Sequence, residues 1–265
     1  MNKNTLWTLY QFIRYKLGSK HKRGHGIHSP VIYEFITKIL NGEVKKEIFA
    51  DNQKKEQDLI KSKQVINIDD PGCGSVISKK HCRTIGSIAK HSSTHFKYRC
   101  LIGKIIAYYQ PQTIIELGTS LGLTTDMIAQ FALKSANIIT VEGSKAIFKI
   151  AEKNFSIWQH KNITIINEHF LSFLQTLPDI ETPSFVYIDG HHQGNATIQY
   201  FNMIWEKVPA NSILVIGDIY WSKDMTKAWK TISKIQANRY SIDIFHMGII
   251  YKHKNCFGDN FYVNY

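Results

Sequence analysis

Residues 114–122 read IIELGTSLG. Two β-branched residues enter an acid, and two glycines, Gly118 and Gly122, bracket Thr119, Ser120 and Leu121 before LTTDMIAQF continues with helical spacing. Apolar β-rich run, glycine turn, helix: that order is the opening of a βα unit in which the turn faces a bound cofactor. A phosphate-binding P-loop requires Gly-Lys-Ser/Thr, which is absent. A dinucleotide fingerprint requires G-x-G-x-x-G, whereas Ser120 stands where its middle glycine would be.

Glu116 narrows the choice further. A carboxylate at the mouth of this turn would repel a pyrophosphate arriving at the helix N-terminus. It suits a cofactor bearing an α-ammonium and a sulfonium, and S-adenosylmethionine (SAM) carries both. The next apolar run, IITVEGS, ends in Glu142, placed to accept hydrogen bonds from both ribose hydroxyls. NAD-dependent enzymes use an acid there too, so the discrimination rests on Glu116 together with the G-T-S-L-G spacing. The alternative is that the glycines serve only a tight strand–helix turn.

The pattern spreads outward from this unit. Strand-like runs at 113–117, 137–142, 163–167, 185–189 and 212–217 alternate with helical stretches near 123–134, 144–158, 170–176, 195–207 and 223–236. Such alternation predicts a parallel sheet covered by helices on both faces. SIDIFHMGIIYK then reads as two strands broken near Met247-Gly248, a closing antiparallel hairpin. Upstream, residues 5–17 place Leu6, Leu9, Tyr10, Ile13 and Leu17 on one helical stripe. HSPVIYEFITKILNG is a second helix, capped by Ser29, opened by Pro30 and closed by Asn41-Gly42. Residues 43–64 are mostly polar and read as an exposed helix or connection. DDPGCGS at 69–75 reads as a turn-rich loop, and 92–110 as a helix stopping before Pro111. The division expected is an N-terminal helical cap with a loop segment, 1–91, and a cofactor-binding domain, 92–265.

With 265 residues, 43% of them hydrophobic, the chain has material for one good core and a small appendage. No apolar run approaches the roughly 20 residues of a membrane span, and the N-terminus lacks a secretory signal pattern. Cys73, Cys82, Cys100 and Cys256 form no CxxC pair, which points to reduced thiols and a cytoplasmic location. The net charge is +12, yet only five of the 33 basic residues are Arg. Specific nucleic-acid sites lean on Arg forks, so a Lys-rich solvated surface is the plainer reading. An anionic membrane surface or an acidic substrate would also match the sign.

Residues 112–252 resemble a class I SAM-dependent methyltransferase. IIELGTSLGLTT is similar to that family's first motif, ITVEGS to its second, FVYIDGHH to the end of its fourth strand and ILVIGDIYWS to its fifth. D-G-x-H followed by a strand ending in Asp resembles the small-molecule O-methyltransferases within it, and HGIHSP and NFYVNY resemble a bacterial subgroup. The resemblance implies an α/β Rossmann-like methyltransferase fold: a mostly parallel seven-stranded sheet with a C-terminal antiparallel hairpin, plus the N-terminal helical cap. It implies that Glu116, Gly118 and Gly122 line the methionine part of SAM. Thr119 and Ser120 would supply donors to its carboxylate, Glu142 would hold the ribose, and Glu168 and His169 would lie at the adenine. Asp189 falls on both the cofactor and the acceptor side.

Methyl transfer is an in-line displacement, so the chain must chiefly align the acceptor and exclude water, and a hydroxyl acceptor also has a proton to lose. By the same resemblance the catalytic set is His192, Asp189, Asp218 and His191. His192 is the leading base because it occupies the His of D-G-x-H, with His191 its rival. In metal-dependent relatives two such acids bind a divalent ion and the second is followed by Asn. Here Ile219 follows Asp218, so a metal at Asp189 and Asp218 is not the favoured reading. The expected partner is a small-molecule acceptor. RNA methylation and a non-catalytic SAM-binding scaffold remain the alternatives, and IDGHH lacks the N/D-P-P-Y/F pattern used on base amino groups. Acceptor identity and oligomeric state are not legible.

Overall fold

A computed structural model describes residues 3–19, 26–43, 46–68, 82–235, 239–254 and 258–265. The 69–75 loop, His25, Cys73 and Cys256 lie outside them. The chain divides into two compact units, Glu43–Leu177 and a second built from Met1–Gly42 with Pro178–Tyr265.

The chain begins with α1 (Lys3–Gly18) and α2 (Pro30–Glu34), the latter running on as a π-helical stretch, Phe35–Leu40. Ser29 Oγ accepts from the Ile32 amide, and Pro30 occupies the first turn, where a missing N–H costs nothing. Asn41 closes the segment by donating from its backbone and its side chain to Ile36 O. Gly42 follows because a Cβ there would lie 1.9 Å from Lys38 O.

In the Glu43–Leu177 unit, α3 (Lys46–Ile60) precedes a short antiparallel ribbon of β1 (Val65–Asn67) and β2 (Cys82–Thr84). Next come α4 (Ile85–His91) and α5 (Phe96–Tyr109). Three parallel strands follow, β3 (Thr113–Leu117), β4 (Asn137–Glu142) and β5 (Ile163–Asn167), interleaved with α6 (Leu123–Phe131) and α7 (Lys145–Ile157) and followed by α8 (Phe170–Thr176). Ile114, Ile115 and Leu117 are fully buried, as strands covered on both faces must be. Gly103 lets α5 approach α6, since a Cβ there would sit 2.7 Å from the Phe131 ring. Leu121, in the glycine turn, packs into a cluster with Ile66, Ile68, Ile85 and Ile88. The glycine turn is thus anchored by its own leucine.

The polar appearance of residues 43–64 hides a buried network. Asn52 and Arg99 are fully buried. Arg99 forks onto Glu56 at 3.1 and 2.7 Å, and its remaining donors reach Asn52 Oδ1 and Thr94 O. Asn52 in turn donates to Leu123 O and Asp126 Oδ2. Lys55 and His160 each lie 2.7 Å from Asp126 Oδ1. Burial pushes the Asp126 carboxyl upward, but hydrogen bonds from His160, Lys55 and Asn52 outweigh it and hold it below the usual range. Charged spacing suggested a solvated helix for α3. Non-local pairing turned one face of it inward.

The other unit continues with β6 (Ser184–Ile188), α9 (Gly194–Lys207), β7 (Ile213–Gly217), α10 (Lys223–Ile235), β8 (Arg239–Asp243), β9 (Met247–Lys252) and β10 (Asp259–Tyr262). Their order is β10-β8-β9-β7-β6. β6 and β7 are parallel, β9 is antiparallel to both β7 and β8, and β10 is parallel to β8. Among the described residues, apart from the β1–β2 ribbon, the three strands of one unit and five of the other make eight where seven were expected. The additional one is β10. The hairpin is present, but its turn is Ile244–His246, not Met247-Gly248: the Ile244 amide donates to Met247 O, and Phe245 adopts φ +72°. Gly248 is a strand residue whose missing Cβ makes room for the Trp229 ring, 2.4 Å from where that atom would be. In this unit α1 lies against the C-terminal elements. Trp7 Nε1 donates to Thr226 Oγ1, Thr8 Oγ1 to Tyr220 O, and Tyr15 Oη to Val263 O, while Phe12 and Tyr15 pack on Phe245.

Candidate active site

Two groups of side chains lie at the carboxyl ends of strands, one in each unit. The first surrounds the glycine turn after β3. Gly118 has φ +109° and Gly122 φ +85°, both in the region that favours glycine. Gly122 also cannot carry a Cβ without meeting the Phe155 ring at 2.5 Å. Ser120, between them, sits at φ +48° despite its side chain. Its amide is held at 3.0 Å by Glu142 Oε2, and Glu142 Oε1 accepts from the Ser144 amide at 2.9 Å. The Gly118 and Thr119 amides both point to Val141 O. The end of β4 therefore clamps the turn after β3, with Glu142 as the bolt.

Glu116 is fully buried below this turn. Its Oε2 accepts from the hydroxyls of Thr125, in the first turn of α6, and Thr140 of β4, while Thr119 Oγ1 lies 2.6 Å from Thr140 Oγ1. The charge sits close to the α6 N-terminus, where the helix dipole favours an anion. Glu116 is thus an acid buried beneath the loop, not a side chain open to solvent. At the end of β5, Glu168 is half-buried and His169 exposed at the start of α8, where it makes no side-chain cap. Asn167, which the sequence reading passed over, donates to Glu142 O and Gly143 O and joins β5 to β4. The chemistry of the set suits SAM: the Glu142 carboxylate, a hydrogen-bond acceptor, stands at the glycine turn, and the side chain buried beneath that turn, Glu116, is an acid.

The second group stands at the ends of β6 and β7. Asp189 leans over β7 because Gly217 has no side chain: its Oδ1 lies 2.2 Å from where a Cβ would be. Asp218 follows at φ +52°, its amide bound to His246 O at 2.7 Å and its carbonyl accepting from Trp221 N at 2.9 Å. Ser222 Oγ accepts from the Met225 amide at 3.1 Å and so caps α10, which leaves the Asp218 carboxylate unspent on capping. His192 Nε2 lies 3.9 Å from Asp218 Oδ2. One ligand atom each from Asp189, His192 and Asp218 fall within 4.8 Å of one another. Desolvation is the largest cause raising the Asp218 carboxyl, to about 6; His192 opposes it and Asp189 adds to it.

The two histidines part company here. His191 adopts φ +56° and turns to α9, Nδ1 lying 2.8 Å from the hydroxyl of Tyr200, whose own ionisation burial pushes upward. His192 stays with the carboxylates, its ring 6.2 Å from that of Trp221. Tyr220 turns inward, stacked on Phe245 and donating to Asp243. Tyr200 and Gly217 carried no local signal for these roles; the glycine preceding the strand-end acid in ILVIGD was the nearest to one.

No curated protein matches the chain by sequence. Among solved structures, the SAH-bound methyltransferase PaMTH1 of Podospora anserina aligns over 96% of this chain and 97% of its own, at 12% identity and a TM-score of 0.58. TomG, an O-methyltransferase of Streptomyces achromogenes involved in tomaymycin synthesis and solved with SAM, aligns over 96% of this chain and 100% of its own, at 10% identity and a TM-score of 0.56. An O-methyltransferase of Bacillus cereus solved with SAH covers 84% of this chain and 97% of its own, at 11% identity and a TM-score of 0.52. Such identities speak for the fold. Residues 115–219 also match the family model described as a methyltransferase domain, a span reaching from Glu116 to just past Asp218. Residues 115–219 are therefore similar to a methyltransferase domain, and the chain has the Rossmann-like fold of these structures.

Proposed function

We propose that the chain transfers the methyl group of SAM to a hydroxyl oxygen of a small molecule, in the cytoplasm. The observation that carries this reading is the convergence of Asp189, His192 and Asp218 at the ends of β6 and β7, in a chain that also has an acid, Glu142, clamping its glycine turn. SAM supplies a methyl carbon already activated by its sulfonium. Glu142 accepts the ribose hydroxyls, and the buried charge of Glu116 favours a cationic over a diphosphate ligand. Gly118, Thr119, Ser120 and Gly122 shape the turn about the methionine part, with Glu168 and His169 toward the base. On the acceptor side, His192 Nε2 takes the hydroxyl proton as the oxygen forms its new bond to carbon. Asp218, ionised, stabilises the resulting imidazolium, and Asp189 holds the acceptor in line. His191, tied to Tyr200, positions the loop.

Glu142→Ala is expected to weaken SAM binding by about 1–3 kcal/mol, the scale of losing hydrogen bonds to a charged acceptor, or about 5- to 150-fold in Kd. Calorimetry measures it directly, and an unchanged Kd would remove Glu142 from the ribose.

A second reading is favoured by the same three side chains, because two carboxylates and an imidazole within 4.8 Å form a donor set for a divalent ion. Such an ion would polarise the acceptor oxygen. Dialysis against a chelator separates the two. The base reading expects turnover to stay within about twofold, whereas the loss of metal assistance costs several kcal/mol of transition-state stabilisation and is restored by added Mg²⁺ or Mn²⁺.

A further inference from the structure

We infer that α1 is a docking face for an anionic lipid surface. At about 100° per residue, the inward side of α1 carries Gln11 and Tyr15, 4% and 5% exposed, with Trp7 and Thr8 beside them. The opposite side carries Leu6, Leu9, Tyr10, Ile13 and Leu17, each at least half exposed and Leu17 82% exposed. The apolar stripe of a sixteen-residue helix thus faces away from the unit to which α1 is fastened. Isolated exposed leucines need no explanation, but a continuous stripe marks an interaction surface.

Charge selects the occupant. The first acidic residue of the chain is Glu34; before it stand Lys3, Arg14, Lys16, Lys20, Lys22 and Arg23. Arg14 and Lys16 lie on the two flanks of the stripe, the cation of Arg14 5.7 Å from the Tyr10 ring centroid and Lys16 Nζ 2.5 Å from Asn264 Oδ1. An apolar face bordered by basic residues is the pattern of a helix lying in a bilayer interface, and clustered Lys and Arg draw it to acidic headgroups. A second copy of the chain is disfavoured, because pairing two such helices would bring like charges together with no acid between them. None of the described helices is long and apolar enough to cross a membrane, so the attachment is peripheral.

The test is sedimentation of the full chain with vesicles of phosphatidylcholine containing about one-third phosphatidylglycerol, beside pure phosphatidylcholine and a salt series. Binding to the acidic vesicles alone, weakened at least about tenfold by Ile13→Ser/Leu17→Ser and by raised salt, supports the inference. Both substitutions are at exposed positions, so SAM affinity and melting temperature are expected to match the parent. Absence of binding to acidic vesicles overturns the inference, as does binding indifferent to the double substitution. Loss of a lipid-free dimer in the variant would assign the stripe to a second copy instead. RNA association unaffected by the stripe, without vesicle binding, would assign the charge to nucleic acid.

Discussion

Asp218→Asn is expected to lower turnover by about 10²–10⁴-fold, the range of general acid–base assistance, while SAM affinity stays within about twofold. Asn is the informative replacement because Asp218 sits at φ +52°, a conformation that Asn adopts at least as readily as Asp. The substitution keeps the backbone bonds to His246 O and from Trp221 N and removes only the charge. In the parent enzyme that charge appears as pH rises through about 6, because desolvation in the crowded strand-end position, reinforced by Asp189, outweighs the help from His192. Below that pH the carboxyl is neutral and cannot stabilise an imidazolium, so turnover is expected to climb through this range and then level. The Asn variant is expected to lose that rise. The Asp218 side chain keeps 40% of its surface open, so water screens the charge and the titration bears on turnover more than on folding. An equal loss of turnover and of SAM binding would make Asp218 a structural residue.

Arg99→Met is expected to cost about 3–5 kcal/mol of stability, the scale of breaking a buried ion pair from one side. Arg99 is fully buried, and its removal strands the Glu56 carboxylate, Asn52 Oδ1 and Thr94 O together. At about 2–4 °C per kcal/mol for a chain of this size, the melting temperature falls by roughly 6–20 °C. The effect reaches the cofactor side, because Asn52 also holds Leu123 O at the start of α6 and Asp126, whose amide donates to Gly122 O. SAM binding is therefore expected to weaken in the variant even below its transition. A melting temperature within a degree of the parent would show that the network adds little beyond hydrophobic packing.

What could be read from the chain, and what could not, follows the range of the forces involved. The strands at 113–117, 137–142 and 163–167 coincide with the observed β3, β4 and β5, because β-branched runs bounded by polar turns carry their own signal. The cap at Ser29 was legible for the same reason: capping is a contact between near neighbours. Gly248 misled because its purpose is space for Trp229 of α10, far from it in sequence, and the true turn at Phe245 has none of the residues that announce one. β10 has only four residues, too few for a pattern, and takes its conformation from parallel pairing with β8. The stripe on α1 was visible, but periodicity does not say which way a stripe faces. Around the site, the acids at strand ends were legible as positions. The tie of His191 to Tyr200, the room Gly217 makes for Asp189 and the bridge from Asn167 to β4 depend on residues brought together by the fold.

The central claim is electrostatic: acids at the ends of β3 and β4 select a cationic nucleoside. Isothermal titration of the intact protein with SAM and, separately, with NAD⁺ tests it most directly. The account predicts a saturable one-to-one heat with SAM and none with NAD⁺ at the same concentrations. Saturable binding of NAD⁺ with no heat from SAM would contradict it.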